Sequence, residues 1–184
     1  MRTGSLFCLL CALILSLSSF YSPPLAPPFT SPMAVKERRP APLPYVLPLQ
    51  YASWVIYYCD ETGVPIWLAC RMFGQESVGN PMAGAWDPDA VSWMGAQGLA
   101  QIMPVNLLPF SMLYNGGKPI DPFDPETAIR VGLRFLADLR GATGSWRLAL
   151  LSYNGGLGHW SDPDRWGPWR AESTEYVRMI LREG

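Results

Sequence analysis

The chain has 184 residues, a formal net charge of −1 at pH 7, 19 prolines and 8 tryptophans. One histidine and four cysteines are few ligands for a metal centre, and the sequence lacks the basic run that nucleic-acid binding favours. We therefore expect no metal centre and no nucleic-acid partner. Once a leader and a linker are set aside, the length suits one domain of ordinary size.

The first residues have the pattern of an export signal. Arg2 precedes a nearly continuous apolar run from Leu6 to Leu17, which is shorter than the ~20 residues of a membrane span. An uncleaved signal anchor is the alternative, because no clean Ala-x-Ala site follows. We predict a signal peptide or signal anchor over 1–20, a proline-rich extended linker over 21–47, and a folded domain over 48–184.

Two helices are predicted at the start of this domain, over 49–60 and 66–77. The segment Gly63–Pro65 separates them, since glycine suits the end of a helix and proline suits the start of the next. Cys59 and Cys70 lie on these two helices. A disulfide, which export would permit, and two buried free thiols are equally good interpretations of this pair.

The rest of the domain is predicted to be helical as well. The stretch 78–97, rich in Gly, Pro and Asp, indicates a long loop. Residues 98–104 are either a segment of close backbone approach, in which Gln101 offers a donor and an acceptor, or a short core helix with one polar residue. Asp124 is predicted to cap a helix over 127–139 that Gly141 ends. Further helices are predicted over 146–152 and 171–181. No segment alternates as a strand does, so the fold class is mainly α.

Glu76 is the candidate around which the chemistry is organised. It lies at the end of the apolar helix 66–77, where burial and the negative end of the helix dipole both disfavour a charged carboxylate. Its pKa is therefore expected to rise, as a general acid working near neutral pH requires. The alternative is a glutamate that merely points to solvent at a frayed helix end.

Other chemistries fit the sequence less well. Cys70 and His159 could form a nucleophilic pair, but Cys70 lies among apolar neighbours, and no G-x-S-x-G segment is available for a serine nucleophile. Glycoside cleavage by a carboxylic acid remains, and it usually needs a second carboxylate. Asp87 and Asp89 are candidates for that role, although we favour ordinary turn chemistry for both.

Five segments occur in the order found in soluble-type lytic transglycosylases, which have a goose-lysozyme-like catalytic domain. The segments are Glu76-Ser77, Asp87-Pro88-Asp89-Ala90-Val91-Ser92, Gly98-Leu99-Ala100-Gln101-Ile102-Met103-Pro104, Ser152-Tyr153-Asn154-Gly155-Gly156 and Glu172-Ser173-Thr174-Glu175-Tyr176-Val177. The chain resembles this family over most of 48–182. The resemblance implies a single lysozyme-like domain that acts on peptidoglycan in the periplasm or cell envelope of a bacterium.

The resemblance also implies a mechanism. Glu76 would be the sole catalytic residue, cleaving the bond between N-acetylmuramic acid and N-acetylglucosamine and leaving a 1,6-anhydro end. No metal or cofactor would take part, the protein would be a monomer, and the N-terminal segment could tether it to a membrane. A hydrolase of the same fold and a wall-binding protein without turnover are the alternatives.

By the same resemblance, five polar residues would bind substrate around Glu76. Ser77 and Gln101 match substrate-binding and loop-ordering groups, and Tyr153 would hydrogen-bond or orient the glutamate. Asn154 would support the groove, and Tyr176 would pack against the active site. The chain departs from the family at Ala100, where methionine is common, so a thinner groove wall is expected, and at 78–85, which looks inserted.

Overall fold

The computed structural model of the protein describes residues 47–77, 86–156 and 169–181, without the side chains of 169 and 170. These residues form six α-helices and no β-strand, which confirms the mainly α prediction. Within the described ranges, no helix has the length and apolar character needed to cross a membrane. The helices are α1 Ala52–Thr62, α2 Ile66–Glu76, α3 Leu107–Tyr114, α4 Pro125–Thr143, α5 Trp146–Gly155 and α6 Trp169–Leu181.

Several predictions concern residues outside the described ranges. They are the signal segment 1–20, all but residue 47 of the linker 21–47, the inserted stretch 78–85, and His159.

α1 and α2 form the predicted hairpin. Gly63 ends α1 in the left-handed conformation, with φ 72°, and its N–H donates to the Cys59 carbonyl at 2.9 Å. Cys59 and Cys70 are both buried and free, so the structure contains the thiol pair and not the disulfide. Burial raises the pKa of Cys59 to about 12 and that of Cys70 to about 11, which keeps both thiols protonated and unreactive.

α4 is the longest described helix and lies at the centre of the fold. Asp124 caps its start by accepting a 2.9 Å hydrogen bond from the Thr127 N–H, as predicted. Its inward face, Ile129, Leu133, Leu136 and Leu139, is at most 2% exposed. α4 packs against α1, α3 and α5, while α6 packs against α5 and α2.

The predicted end of α4 at Gly141 is wrong. The helix continues to Thr143 and ends at Gly144, whose φ is 77° and whose N–H donates to the Arg140 carbonyl at 3.0 Å. A single glycine costs a helix only about 1 kcal/mol, less than the hydrogen bonds that a further turn forms. Gly144 has the left-handed backbone that stops a helix, and Gly141 does not.

α3 was not predicted, because Pro109 breaks the apolar run 105–113. In the structure, a 3-10 turn over Pro104–Asn106 leads into α3 at Leu107, and Pro109 occupies its first turn. The first N–H groups of a helix have no partner in the helix, so a proline there removes no hydrogen bond.

Residues 86–102 form a folded loop and not a short helix. Gln97 exchanges two backbone hydrogen bonds with Ile102, at 3.1 and 2.9 Å, and Gly98 donates to the Ala90 carbonyl at 2.8 Å. Gly98 has φ +71°, and a Cβ there would lie 1.8 Å from the Pro122 carbonyl oxygen. Only glycine permits this approach, which fixes the loop against the turn that precedes α4.

Candidate active site

Glu76 is the last residue of α2, and its Oε1 accepts a 2.6 Å hydrogen bond from the Tyr176 hydroxyl. The residue is only half-buried, because one side faces a cavity, but protein encloses the carboxyl group on its other sides. This enclosure raises its pKa from 4.5 to about 7, and the hydrogen bond from Tyr176 lowers the pKa by a smaller amount. Glu76 is therefore the enclosed, readily protonated carboxyl group that the sequence predicted.

Tyr176 lies on α6 and is 5% exposed. Burial first, and then the negative charge and hydrogen bond of Glu76, raise the pKa of its hydroxyl well above the usual value. The phenol therefore stays protonated and acts as a permanent hydrogen-bond donor to Glu76. The resemblance implied that Tyr176 binds substrate and packs against the active site. The structure makes Tyr176 the direct partner of the carboxyl group, and its contact with substrate stays a prediction.

Tyr153, on α5, is close to Glu76 but does not donate to it. Its hydroxyl donates to the Ala100 carbonyl at 2.8 Å. Burial, followed by the charge of Glu76, raises the pKa of Tyr153 well above its usual value, which places the phenol within electrostatic reach of the carboxylate. The predicted hydrogen bond from Tyr153 to Glu76 is thus wrong, because Tyr176 forms it and Tyr153 joins α5 to the loop. The alternative role, in which Tyr153 orients the glutamate, stays a prediction.

Gly132 of α4 leaves the space in which Tyr153 and Ala100 meet. A Cβ at Gly132 would lie 3.0 Å from Ala100 Cβ, 3.1 Å from the Phe73 ring and 3.3 Å from the Tyr153 hydroxyl. The Ala100 side chain is 1% exposed and points towards α4. The expected thinning of a groove wall at Ala100 is therefore wrong, since this methyl group packs in the core.

Gln101 orders the loop. Its side-chain amide donates to the Gly98 carbonyl at 2.8 Å and to the Ala90 carbonyl at 3.3 Å. Its own backbone has φ 46°, a left-handed conformation that these bonds hold in place. Of the two roles predicted for Gln101, loop ordering has a direct structural basis, and substrate binding remains a prediction.

Ser77 is fully buried, which contradicts a direct contact with substrate. Its hydroxyl donates to the Phe73 carbonyl at 2.6 Å and accepts from the Trp86 N–H at 2.7 Å. Ser77 thus connects the end of α2 to the start of the loop at Trp86, which is itself buried. Of the two roles predicted for Ser77, loop ordering therefore has a direct structural basis, whereas its burial argues against substrate binding.

Asn154 lies at the cavity, as the predicted groove role requires. It is exposed, and its Oδ1 accepts a 2.6 Å hydrogen bond from the Ser173 hydroxyl of α6. This bond fixes the side-chain amide between α5 and α6 and leaves the NH₂ group available as a donor.

The cavity beside Glu76 has a volume of about 300 Å³. Besides Glu76, it is lined by Gln75, Asn154, Glu172, Glu175, Tyr176 and Met179. Four of these lining residues were not predicted from the sequence: Gln75, Glu172, Glu175 and Met179. The available signal was helical spacing, because residues 172, 175, 176 and 179 lie on one face of α6.

The two aspartates proposed as a second carboxylate form a turn. Asp87 Oδ1 accepts a 3.0 Å hydrogen bond from the Asp89 N–H, and neither residue lines the cavity. Among the residues that the structure describes, no group of three or more His, Cys, Asp or Glu side chains could hold a metal ion.

Three solved structures of lytic transglycosylases have a fold similar to that of this chain. The chain is 25% identical to the 70 kDa soluble lytic transglycosylase SLT70 from Escherichia coli, with a TM-score of 0.60. It is 26% identical, with the same TM-score of 0.60, to a complex of the 70-kDa soluble lytic transglycosylase with bulgecin A. The inactive mutant of lytic transglycosylase Slt from Pseudomonas aeruginosa is 22% identical, with a TM-score of 0.56, and supports the fold alone.

Each of these three matches covers 73% of this chain but only 23% of the solved chain. The fold and site thus define the class as a lysozyme-like domain of the kind found in lytic transglycosylases. The family model described as Transglycosylase SLT domain matches residues 60–173, and the chain belongs to this family. No curated protein sequence matches this chain.

Proposed function

We propose that the protein is a lytic transglycosylase that cleaves the glycan strands of peptidoglycan, with Glu76 as its only catalytic residue. One observation carries the proposal: a carboxyl group with a pKa of about 7 faces a cavity of about 300 Å³ and is held by the Tyr176 hydroxyl. Near neutral pH such a group is readily available in both protonation states, so it can serve first as an acid and then as a base.

In the first step, protonated Glu76 donates its proton to the oxygen that bridges N-acetylmuramic acid and N-acetylglucosamine. The bond from muramic C1 to this oxygen breaks, and the glucosamine leaves as an alcohol. The carbonyl oxygen of the muramic N-acetyl group bonds to C1 and takes up the positive charge. The substrate thus supplies its own nucleophile, a recognised exception to the two-carboxylate rule.

In the second step, ionised Glu76 removes the proton from the muramic C6 hydroxyl. The C6 oxygen attacks C1, the bond from C1 to the acetamido oxygen breaks, and a 1,6-anhydro ring closes. Glu76 ends the cycle protonated, as it began, and no water is consumed. The hydrogen bond from Tyr176 supports this scheme, because it occupies one oxygen of the Glu76 carboxyl group and leaves the other oxygen to carry the proton.

The neighbouring polar groups have supporting roles in this proposal. Tyr176 orients Glu76, and Tyr153 holds the loop that follows Ala90 against α5 through its bond to Ala100. The Asn154 amide, fixed by Ser173, offers a donor to the sugar. Gln101 keeps the loop in shape and can offer its carbonyl oxygen to the substrate.

The proposal extends to the whole chain. The catalytic unit is residues 48–184, acting as a monomer without metal or cofactor. Residues 1–20 direct export to the periplasm or cell envelope or remain as a membrane anchor, and residues 21–47 act as a linker. Fractionation of cells that produce the full chain, with N-terminal sequencing of the product, tests the export step.

A hydrolase of the same fold is the second candidate, and the products distinguish the two. Digestion of purified sacculi followed by mass spectrometry should give muramic ends lighter by one water than reducing ends. Glu76→Gln should abolish release of fragments. Asp87→Asn is the matched control and should keep activity, because Asp87 only accepts a turn hydrogen bond.

Reducing ends from the wild-type protein would support the hydrolase and overturn the proposed second step. Loss of activity in Asp87→Asn would indicate a second catalytic carboxylate. A wild-type protein that binds sacculi and releases nothing, with Glu76→Gln binding equally well, would support the wall-binding alternative.

A further inference from the structure

A second concave site lies on the α1–α2 hairpin, away from Glu76. Its volume is about 690 Å³, within the range of ligand sites. Its lining includes Ser53, Ile56, Tyr57, Asp60, Val64 and Ile66. The α2 helix starts at this groove and ends at Glu76, so its 11 residues, at about 1.5 Å each, separate the two sites by roughly 15 Å.

One face of α1 forms the outer wall of this groove. Ser53, Ile56, Tyr57 and Asp60 recur at the helical spacing i, i+3, i+4 and i+7, and all four are exposed. The opposite face of α1, with Val55, Tyr58 and Cys59, is buried in the core. The exposed face therefore lies outside the buried core.

The chemistry of this face suits a carbohydrate. Tyr57 is 63% exposed, and its ring lies edge-on to the Tyr58 ring, with ring centroids 5.0 Å apart. Such a ring offers an apolar face to the C–H surface of a sugar and a hydroxyl at its rim. Asp60 and Ser53, one turn to either side, offer a carboxylate acceptor and a hydroxyl to sugar hydroxyl groups.

Other ligand classes fit less well. Among the residues that the structure describes, the groove lining includes no basic side chain, which disfavours phosphates and other anions. A purely apolar partner would cover the Asp60 carboxylate and the Ser53 hydroxyl without giving them hydrogen bonds, and this burial costs free energy. A neutral, hydroxyl-rich ligand satisfies both the ring and the polar groups.

We propose that this groove is a second glycan-binding site, which holds a stretch of the wall polymer outside the cavity at Glu76. The inference rests on the proposed function, since it takes peptidoglycan glycan as the ligand. Binding here keeps the protein on an insoluble substrate between cleavage events. Tyr57 is the stacking platform, and Asp60 is the principal hydrogen-bond acceptor.

The test uses the full chain carrying Glu76→Gln, so that binding is measured without turnover. Retention on purified sacculi is measured for this protein and for the same protein with Tyr57→Ala, Tyr57→Phe or Asp60→Asn. Tyr57→Ala should weaken binding about tenfold, since loss of a well-packed aromatic contact is worth roughly 1.4 kcal/mol. Tyr57→Phe keeps the ring and should bind nearly as the parent does, and Asp60→Asn should weaken binding severalfold.

Leu108→Ala is the matched control, because Leu108 is a 73% exposed apolar residue on α3, outside both sites. It should leave retention unchanged. Amide chemical shifts give the second measurement, with a soluble tetramer of N-acetylglucosamine as the probe. Two sets of residues should shift, one beside the cavity at Glu76 and one around residues 53–66.

Equal retention of the Tyr57→Ala protein, or shifts confined to the cavity, would overturn the second site. So would self-association that depends on Tyr57 in sedimentation experiments, because the groove would then hold another copy of the chain. Failure of the proposed function is seen separately, in the products that the unmodified protein releases. The amide chemical-shift changes that depend on Tyr57 can persist even if the unmodified protein releases no 1,6-anhydro products from sacculi.

Discussion

Tyr176 donates a 2.6 Å hydrogen bond to Glu76 from a position 100 residues later in the sequence. The two side chains meet because α6 packs against the end of α2. Burial raises the pKa of the Glu76 carboxyl group to about 7, and the Tyr176 bond opposes part of that rise. The balance between these effects decides the pH at which the carboxyl group is protonated.

The first prediction concerns this balance. Tyr176→Phe removes a hydrogen bond that favours the ionised form, so the pKa of Glu76 should rise further above 7. The alkaline limb of kcat/KM, which follows loss of the Glu76 proton, should move up by about one pH unit. The maximal rate should fall about tenfold, because the carboxyl group loses its orienting partner.

The pH profile of sacculus digestion measures both effects. Tyr58→Phe is the matched control, because the Tyr58 hydroxyl donates to Glu126 at 3.2 Å and not to Glu76. Tyr58→Phe should leave the alkaline limb of kcat/KM at the same pH as in the parent protein. An alkaline limb that stays unmoved in Tyr176→Phe would mean that the bond does not set the pKa of Glu76.

The second prediction concerns the cost of keeping Glu76 in its enclosed position. Below pH 4.5 the carboxyl group is protonated in both the folded and the unfolded chain, so it makes no pH-dependent contribution. Between pH 4.5 and about 7 the unfolded chain loses this proton first, and the free energy of unfolding decreases as the pH rises. Above about 7 the loss is complete and constant.

Glu76→Gln removes the ionisation while keeping an acceptor for Tyr176. The variant should be more stable than the parent by ~1–3 kcal/mol at pH 8, and the difference should shrink towards pH 4. Urea unfolding at pH 4, 6 and 8 measures it. A difference of the same size at all three values would show that the raised pKa is not its source.

The third prediction concerns the space at Gly132. Gly132→Ala places a methyl group 3.0 Å from Ala100 Cβ and 3.3 Å from the Tyr153 hydroxyl. Either Tyr153 or the loop must move, so stability should fall by ~1–3 kcal/mol and activity by about tenfold or more.

Gly141→Ala is the matched change on the same helix, where a Cβ meets no atom of the described residues within 4 Å. It should raise stability by about 0.5–1 kcal/mol, because alanine is the better helix former. Thermal unfolding and sacculus digestion of both variants give the comparison. Equal behaviour of the two variants would show that the contact at Gly132 has no role in holding the site.

The fourth prediction compares two buried serines. Ser77→Ala leaves the buried Trp86 N–H without its acceptor and should cost ~1–3 kcal/mol. Ser152 Oγ is buried and has no hydrogen-bond partner in the described part of the chain, so Ser152→Ala should be neutral or stabilising by up to ~1 kcal/mol. Urea unfolding measures both, and a larger loss for Ser152→Ala would contradict the hydrogen-bond assignment.

Much of the helical layout could be predicted from sequence, because its signals are local. The Gly63–Pro65 break, the Asp124 cap and the apolar face of α4 each involve residues within a few turns of one another. The same local pattern indicated that Glu76 would lie at the end of a buried helix. Where local signals conflicted, as at Pro109 and Gly141, hydrogen bonds and tertiary packing decided the outcome.

The partners of Glu76 depend on contacts between distant parts of the chain. By itself, the sequence determined that α2 would end on an enclosed carboxyl group, since periodicity and helix ends are short-range properties. Only the tertiary structure decided that Tyr176, and not Tyr153, would donate to it, and that Ser77 would turn inward. Those choices depend on how α5 and α6 pack against α2, and side-chain packing over 100 residues has no local signal.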